Sequence, residues 1–318
     1  MSAHESVQDK RDPRGVIAIA GPTASGKSEL GINIGHELDG EIVNCDSVQV
    51  YQGIQIATAK VPPEERRGIP HHLVDFVSPY INYNAGDWAR EATSVVEDIQ
   101  GRGRVPILVG GTGLYLRALR NPFFASPQTD EELRGRLNEL RERRGVEHLH
   151  RLLRRVDPHS ADELYPRDWP RVQRAIEVRM QTGQAMSLQK GARPEPHRSA
   201  LGLSLIVLNP PRDALYRRIN QRTEKHFAEG LVEEVKTLLA QGVPAASNAL
   251  GAHGYRRVVE YLQGKRSLES AIEQTKLDVR HYAKRQLTWF RRESGGHWFE
   301  GFGEAEDVQK AVRNVLIG

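Results

Sequence analysis

Residues 21–28, Gly21-Pro22-Thr23-Ala24-Ser25-Gly26-Lys27-Ser28, reproduce the pattern G-x-x-x-x-G-K-[ST] in full. The glycines let backbone N–H groups wrap a phosphate, and a helix starting behind them adds partial positive charge. Lys27 supplies a point charge, and the Ser28 hydroxyl is placed to bind Mg²⁺. The chemistry is capture of a di- or triphosphate. A hydrolase or kinase built on such a loop usually ends another buried strand in an acidic residue that holds Mg²⁺. Here the best such strand, residues 105–109 (VPILV), runs instead into Gly110-Gly111-Thr112-Gly113. The acidic residue comes elsewhere, as Asp46, with Asp75 at the end of HHLVD as a second candidate. Two glycines and a threonine bring backbone and a hydroxyl close to a ligand, which suits recognition of a pyrophosphate without ordinary phosphoryl transfer.

These residues need a parallel sheet to hold them. Residues 16–20 (VIAIA) form an apolar run that stops at Gly21, and helical spacing follows in Leu30, Ile34 and Leu38. Residues 41–45 (EIVNC), 105–109 and 203–208 (LSLIVL) read as further strands, and the terminal HWFEGF as an edge strand. Strands alternating with helices indicate an α/β sheet covered on both faces. Between the third and fourth strands the composition turns Arg/Glu/Leu-rich, with prolines at both borders, which predicts a helical insertion. Residues 212–292 read as mostly helical, broken at Gly230, Gly242-Val243-Pro244 and Gly264.

The 318 residues are 38% hydrophobic and 27% charged, enough for a proper core and long for a single domain. A mean hydropathy of −0.55, with no long apolar run, predicts no membrane span. The opening residues are charged and lack a secretory signal, and one cysteine, Cys45, fits a reducing cytosol. Positive charge is concentrated in two places. Residues 134–179 hold twelve Arg against eight acidic residues, and residues 276–292 hold six Lys or Arg against one Asp. Lys276, Arg280, Lys284 and Arg291 fall on one helical stripe, which favours a polyanion alongside. Trp289 and Phe290 read as core. His71 and His72 point to opposite faces of a strand, so a joint metal site is not expected.

Beyond the phosphate loop, several blocks occur in order: DSVQVY from Asp46, TAK from Thr58, PHHLVD from Pro70, ILVGGTGLY from Ile107, DP at Asp157, RVQRAIEV from Arg171, GLVEEV from Gly230, GY at Gly254 and AKRQLTWFRR from Ala283. Over nearly the whole chain they resemble the tRNA dimethylallyltransferases (tRNA isopentenylpyrophosphate transferases). The resemblance implies a P-loop NTPase-like parallel sheet flanked by helices, with an inserted all-helical tRNA-binding domain. The expected division is a flexible stretch 1–14, a core of 15–127 and 198–318, and the insertion 128–197. The implied reaction moves a dimethylallyl group from dimethylallyl pyrophosphate to the exocyclic amine of the adenosine 3′ of the tRNA anticodon. The loop, a motif otherwise typical of ATP-binding proteins, then holds the leaving pyrophosphate.

By the same resemblance Arg222 and Thr112 join Lys27, the loop N–H groups and Mg²⁺ on Ser28 at the leaving group, and Asp46 is the general base. Without it, Arg222 reads as a surface helix residue. Asp46, Ser47, Val48 and Gln49, then Arg171, Gln173 and Arg174, then Arg280, Lys284 and Arg285 are the implied tRNA contacts. A cytoplasmic monomer acting on the anticodon stem-loop, away from any membrane, is expected. Five positions depart from the family's usual residues: Ala57 for Gly, His226 for Met, His253 for Ile, Arg257 for Glu and Val279 for Thr. Competing readings are an adenylate isopentenyltransferase acting on free AMP, ADP or ATP, a P-loop small-molecule kinase, and an RNA-binding module with a relic loop. The two basic segments argue against the first, and the absent carboxylate–Mg²⁺ arrangement against the second. The intact loop and base argue against the third.

Overall fold

A computed structural model of the chain describes residues 15–121, 127–190 and 202–317. The stretch 1–14, expected to be a flexible N-terminus, lies outside them, as does 191–201, where the insertion closes. The chain divides into two compact units, one of residues 1–120 with 196–318 and one of 121–195.

In the first unit, six strands form one sheet: β1 (Ile17–Ala20), β2 (Gly40–Asn44), β3 (His71–His72), β4 (Val105–Val109), β5 (Ser204–Leu208) and β6 (Gly296–Phe299). Their order is β3-β2-β4-β1-β5-β6, and every pairing is parallel. Alternate residues of β1 serve opposite cores, which is why the sequence shows unbroken apolar runs. Ile17 and Ile19 pack with Leu30, Ile34 and Leu38 of α1 (Lys27–Leu38). Ala18 and Ala20 pack in the other core with Trp88 of α2 (Ala85–Gly101) and Tyr115 of α3 (Gly113–Arg120). Asn84 caps α2 by accepting from Gly86 N and Asp87 N, and Asp87 answers on the Asn84 amide. The loops after β1, β2 and β4 all leave from the carboxyl end of the sheet, where open α/β sheets bind ligands.

β3 ends at His72, short of Asp75, whose backbone is left-handed (φ 53) and whose carboxylate is ion-paired with Lys60. Asp75 therefore ends a turn and not a strand. At the far end of β2, the buried Glu41 accepts from Arg102 (3.0 Å), Arg104 (3.1 Å) and His72 (2.6 Å). The Arg102 hydrogen bond, aided by His72 and Arg104, lowers its carboxyl from an ordinary 4.5 to about 2. A depressed carboxyl stabilises the fold above its unfolded value and loses that contribution as pH falls through the folded one. Stability should thus decline between about pH 4.5 and 2, and Glu41→Gln should flatten that decline in urea titrations at stepped pH.

In the second unit, α4 (Glu131–Arg144), α5 (Val146–Val156), α6 (Pro158–Glu163), α7 (Trp169–Thr182) and α8 (Met186–Lys190) enclose a small core of Leu133, Leu137, Leu149, Leu153, Val172 and Ile176. Glu177 is fully buried there, accepting from Arg134 (2.9 and 2.8 Å), Gln173 (3.3 Å) and Arg174 (3.3 Å). The guanidinium of Arg141 lies over the Trp169 ring at 3.8 Å. Several arginines of this basic segment are thus structural.

Returning to the first unit, the chain continues as α9 (Arg212–Ala228), α10 (Leu231–Ala240), α11 (His253–Leu262), α12 (Leu268–Phe290) and α13 (Glu306–Ile317), with the expected breaks at Gly230, Gly242 and Gly264. Among the described residues, no helix is long and apolar enough to cross a membrane.

Candidate active site

The phosphate loop turns through Gly26 (φ 84) into α1, so the amides of the helix start face the loop's interior, where a side chain at residue 26 has no room. Lys27 folds back over it, its Nζ donating to the Pro22 carbonyl at 2.6 Å. Burial pushes the Lys27 ammonium down to about 8, against the pull of Asp46, so an arriving anion meets an under-compensated cation. The Ser25 hydroxyl is buried without a hydrogen-bond partner, a polar group that a phosphate oxygen can satisfy. The loop borders a cavity of about 820 Å³ lined also by Ser28, Asp46, Gly110, Arg218, Arg222 and Glu304.

Gly110 is required by close approach: a Cβ there would collide with the Cys45 backbone. Cys45 is buried and burial pushes its thiol far up, so it is no nucleophile. One turn later, Asp46 Oδ1 accepts from Val48 N (2.9 Å) and Gln49 N (3.3 Å), while Asp46 N donates to Asn44 Oδ1 at 3.1 Å. A carboxylate fixed through one oxygen keeps the other for a proton. Arg222, on α9, also lines the cavity. Burial lowers its pKa, Asp46 opposes that and the charge of Arg218 adds to it, so it is no free surface residue. Its Nε donates to His226 Nε2 at 3.4 Å, and burial followed by the Arg222 charge lowers His226 to about 4. His226 is therefore a neutral acceptor at physiological pH.

Thr112 has a different partner from the one its motif suggests. Its Oγ1 accepts from Ser47 N at 3.0 Å and donates to Ser47 Oγ at 3.4 Å. It borders a second cavity and not the loop cavity, so it holds the Asp46–Ser47 turn to the β4 loop. The Gln49 amide is likewise spent on the carbonyls of Thr58 (3.0 Å) and Ala59 (3.4 Å).

Gln286 is marked by no chemical motif, yet it joins the two glycine loops. Its Oε1 accepts from Thr23 N at 2.8 Å, and its Nε2 donates to Gly111 O at 3.0 Å. The only sequence signal was its place in AKRQLTWFRR, since a lone glutamine in a basic helix has no distinctive spacing. Gln286→Leu should leave two backbone groups unsatisfied and destabilise the protein by about 1–3 kcal/mol in urea unfolding. Full recovery of stability in that variant would show that the clasp is dispensable.

The second cavity, about 590 Å³, shares Thr23, Ala24, Asp46, Thr58 and Arg222 with the first. Tyr51, Tyr115, Phe227, Tyr255 and Tyr282 give it an aromatic wall, and Ser47 and Val48 line it near Asp46. A carboxylate and a guanidinium therefore stand between a phosphate-binding space and an aromatic one. Four of the five departures, Ala57, His226, His253 and Val279, line this aromatic cavity. Arg257 lies elsewhere, paired with Asp278 at 2.6 Å and Glu260 at 2.8 Å.

The polyanion candidates separate by exposure. Lys276 is buried and paired with Glu224 (2.6 Å) and Glu273 (2.7 Å), so it leaves the basic stripe. Lys284, Arg285 and Arg291 are exposed, and Arg280 is half-buried beside the Tyr216 ring. Phe290 is core, and Trp289 packs on that core beneath Arg117. In the second unit Arg171 is exposed and ion-paired with Asp168, three residues away. Arg174 donates to Pro127 O at 2.6 Å, and Gln173 is buried against Glu177, so burial takes Gln173 away from any ligand. His71 and His72 bond to different partners, Ile69 O and Glu41. Among the described residues, no three His, Cys, Asp or Glu side chains are grouped to hold a metal ion.

The profile of IPP transferases matches residues 49–293. A tRNA dimethylallyltransferase of Geobacter metallireducens is 45% identical over 300 residues, which is 93% of this chain and 96% of that protein. The crystal structure of the full-length tRNA isopentenylpyrophosphate transferase from Bacillus halodurans superposes with a TM-score of 0.69 at 36% identity, covering 95% of this chain and 97% of the other. A eukaryotic dimethylallyltransferase caught acting on tRNA gives a TM-score of 0.78 at 29% identity, over 94% of this chain and 77% of the other.

Proposed function

The chain belongs to the IPP transferase family, and from that premise we propose that it transfers a dimethylallyl group from dimethylallyl pyrophosphate to the exocyclic amine of the adenosine 3′ of the tRNA anticodon. The observation that carries this reading is the pair of cavities meeting at Asp46 and Arg222. A diphosphate held by the loop directs its allyl carbon toward the shared wall, and a base entering the aromatic cavity stacks and presents its amine there. Breaking the allylic C–O bond builds negative charge on pyrophosphate, which Lys27, Arg222 and the loop N–H groups are preplaced to receive. As the amine attacks, the free oxygen of Asp46 takes its proton. Mg²⁺ fits this donor set: the Ser28 hydroxyl with phosphate oxygens and water would hold it, and it would neutralise charge on the leaving group.

A free adenine nucleotide as acceptor would need none of the exposed cations at Arg171, Lys284 and Arg285. Incubation with carbon-labelled dimethylallyl pyrophosphate beside tRNA, AMP or no acceptor separates the readings. Label in tRNA alone is expected, and label in AMP would overturn the tRNA assignment. Binding of tRNA should weaken with rising salt, and the double variant Lys284→Ala/Arg285→Ala should lower the log–log salt slope by about 1 to 2. Filter binding over a salt series checks this, and an unchanged slope would remove that surface from the tRNA footprint.

A further inference from the structure

Glu304, which no motif marks, reaches into the phosphate loop. The Gly303 amide donates to Ser25 O at 2.8 Å, bringing residues 302–304 against the loop. A Cβ on Gly26 would collide with Glu304 Oε2 and lie 2.7 Å from Gly303 N. The Glu304 carboxylate therefore stands at the turn whose amides would otherwise face an anion. Glu304 is ion-paired with Arg218, whose guanidinium also lies 4.8 Å from the centre of the Phe302 ring. Arg218 is one helical turn before Arg222 on α9, and both line the loop cavity with Lys27. The Arg218 guanidinium is close enough to disfavour the charge of Arg222.

This inference rests on the loop being a diphosphate site. We propose that Arg218 is a further diphosphate-binding residue, and that Glu304 holds it in place while occupying the anion's side of the loop until the donor displaces that carboxylate. Glu304 neutralises Arg218, as Asp46 offsets Lys27 and Arg222, and it opposes both donor binding and retention of the pyrophosphate product. A diphosphate carries more charge than one carboxylate and can bridge Arg218 and Arg222 together, so it wins the exchange.

Binding of inorganic pyrophosphate with Mg²⁺, measured by calorimetry on the full chain, tests this. Glu304→Gln should bind about fivefold more tightly than wild type, the factor an exposed charge of this kind is worth, and Arg218→Gln about fivefold more weakly. Affinity for tRNA should stay the same in both. If Arg218→Gln does not fold, Arg218→Lys, which keeps the charge but loses the paired fork, should show a smaller loss of the same sign. Equal or weaker binding by Glu304→Gln would overturn the proposal, making the carboxylate a support or a metal ligand. Unchanged affinity in the Arg218 variants would reduce the pair to a surface ion bridge. In either case a wild type that binds pyrophosphate and a Lys27→Ala variant that does not would leave the diphosphate reading standing, whereas a wild type that fails to bind would remove both.

Discussion

Asp46→Asn is expected to lower turnover on tRNA by about a thousandfold, within the range a positioned general base contributes. The asparagine is more telling than alanine because of what Oδ1 does. That oxygen accepts from Val48 N and Gln49 N, so alanine would also loosen the turn after β2. Asparagine keeps an acceptor of the same shape and removes the basic oxygen, so the turn persists and the proton has no destination. Affinity for tRNA should remain within about twofold of wild type and affinity for pyrophosphate should not fall, because neither depends on that proton and losing the carboxylate charge beside Lys27 and Arg222 only favours an anion. A large loss in Asp46→Asn with intact binding marks a base. Near wild-type turnover would reduce Asp46 to an anchor of the turn.

Arg222→Gln should lower kcat/KM for the donor by about 10²- to 10³-fold, the usual effect of removing one preorganised donor from a developing anion. The loss should fall mainly on kcat, since charge on the bridging oxygen is greatest in the transition state. Arg222 is half-buried, with Asp46 as the carboxylate that favours its charge and His226 as its side-chain hydrogen-bond partner. It is thus held for a transient anion and not consumed in a permanent ion pair. Single-turnover rates at saturating donor check this. A pure KM effect would assign Arg222 to ground-state binding alone.

Much of this framework is legible in the residues. The phosphate loop announces itself because its function is carried by backbone geometry, and only a narrow set of residue types adopts that geometry. The strands are legible because a sheet buried on both faces leaves unbroken apolar runs such as VPILV. Side-chain partners are not legible. Lys276 looks like part of a basic stripe by spacing, yet Glu224, fifty-two positions earlier, neutralises it from a neighbouring helix. Gln173 sits in a block that resembles a tRNA-contacting one, yet burial of Glu177 recruits its amide. Thr112 follows a diglycine that approaches a ligand, yet its hydroxyl meets Ser47 across sixty-five positions. In each case helical or strand period sets the direction of the side chain, and only the tertiary fold supplies what it meets. Glu304 and Gln286 escape notice for the same reason.

The claim most exposed to test is that carbon moves while phosphorus does not. Dimethylallyl pyrophosphate labelled with carbon-14 in the allyl group and phosphorus-32 in the diphosphate, incubated with purified enzyme, Mg²⁺ and an anticodon stem-loop, decides it in one gel. Carbon-14 in the RNA, with all phosphorus-32 released as pyrophosphate in equal amount, is the predicted result. Phosphorus-32 on the RNA, or pyrophosphate released with no carbon-14 transferred, would contradict it.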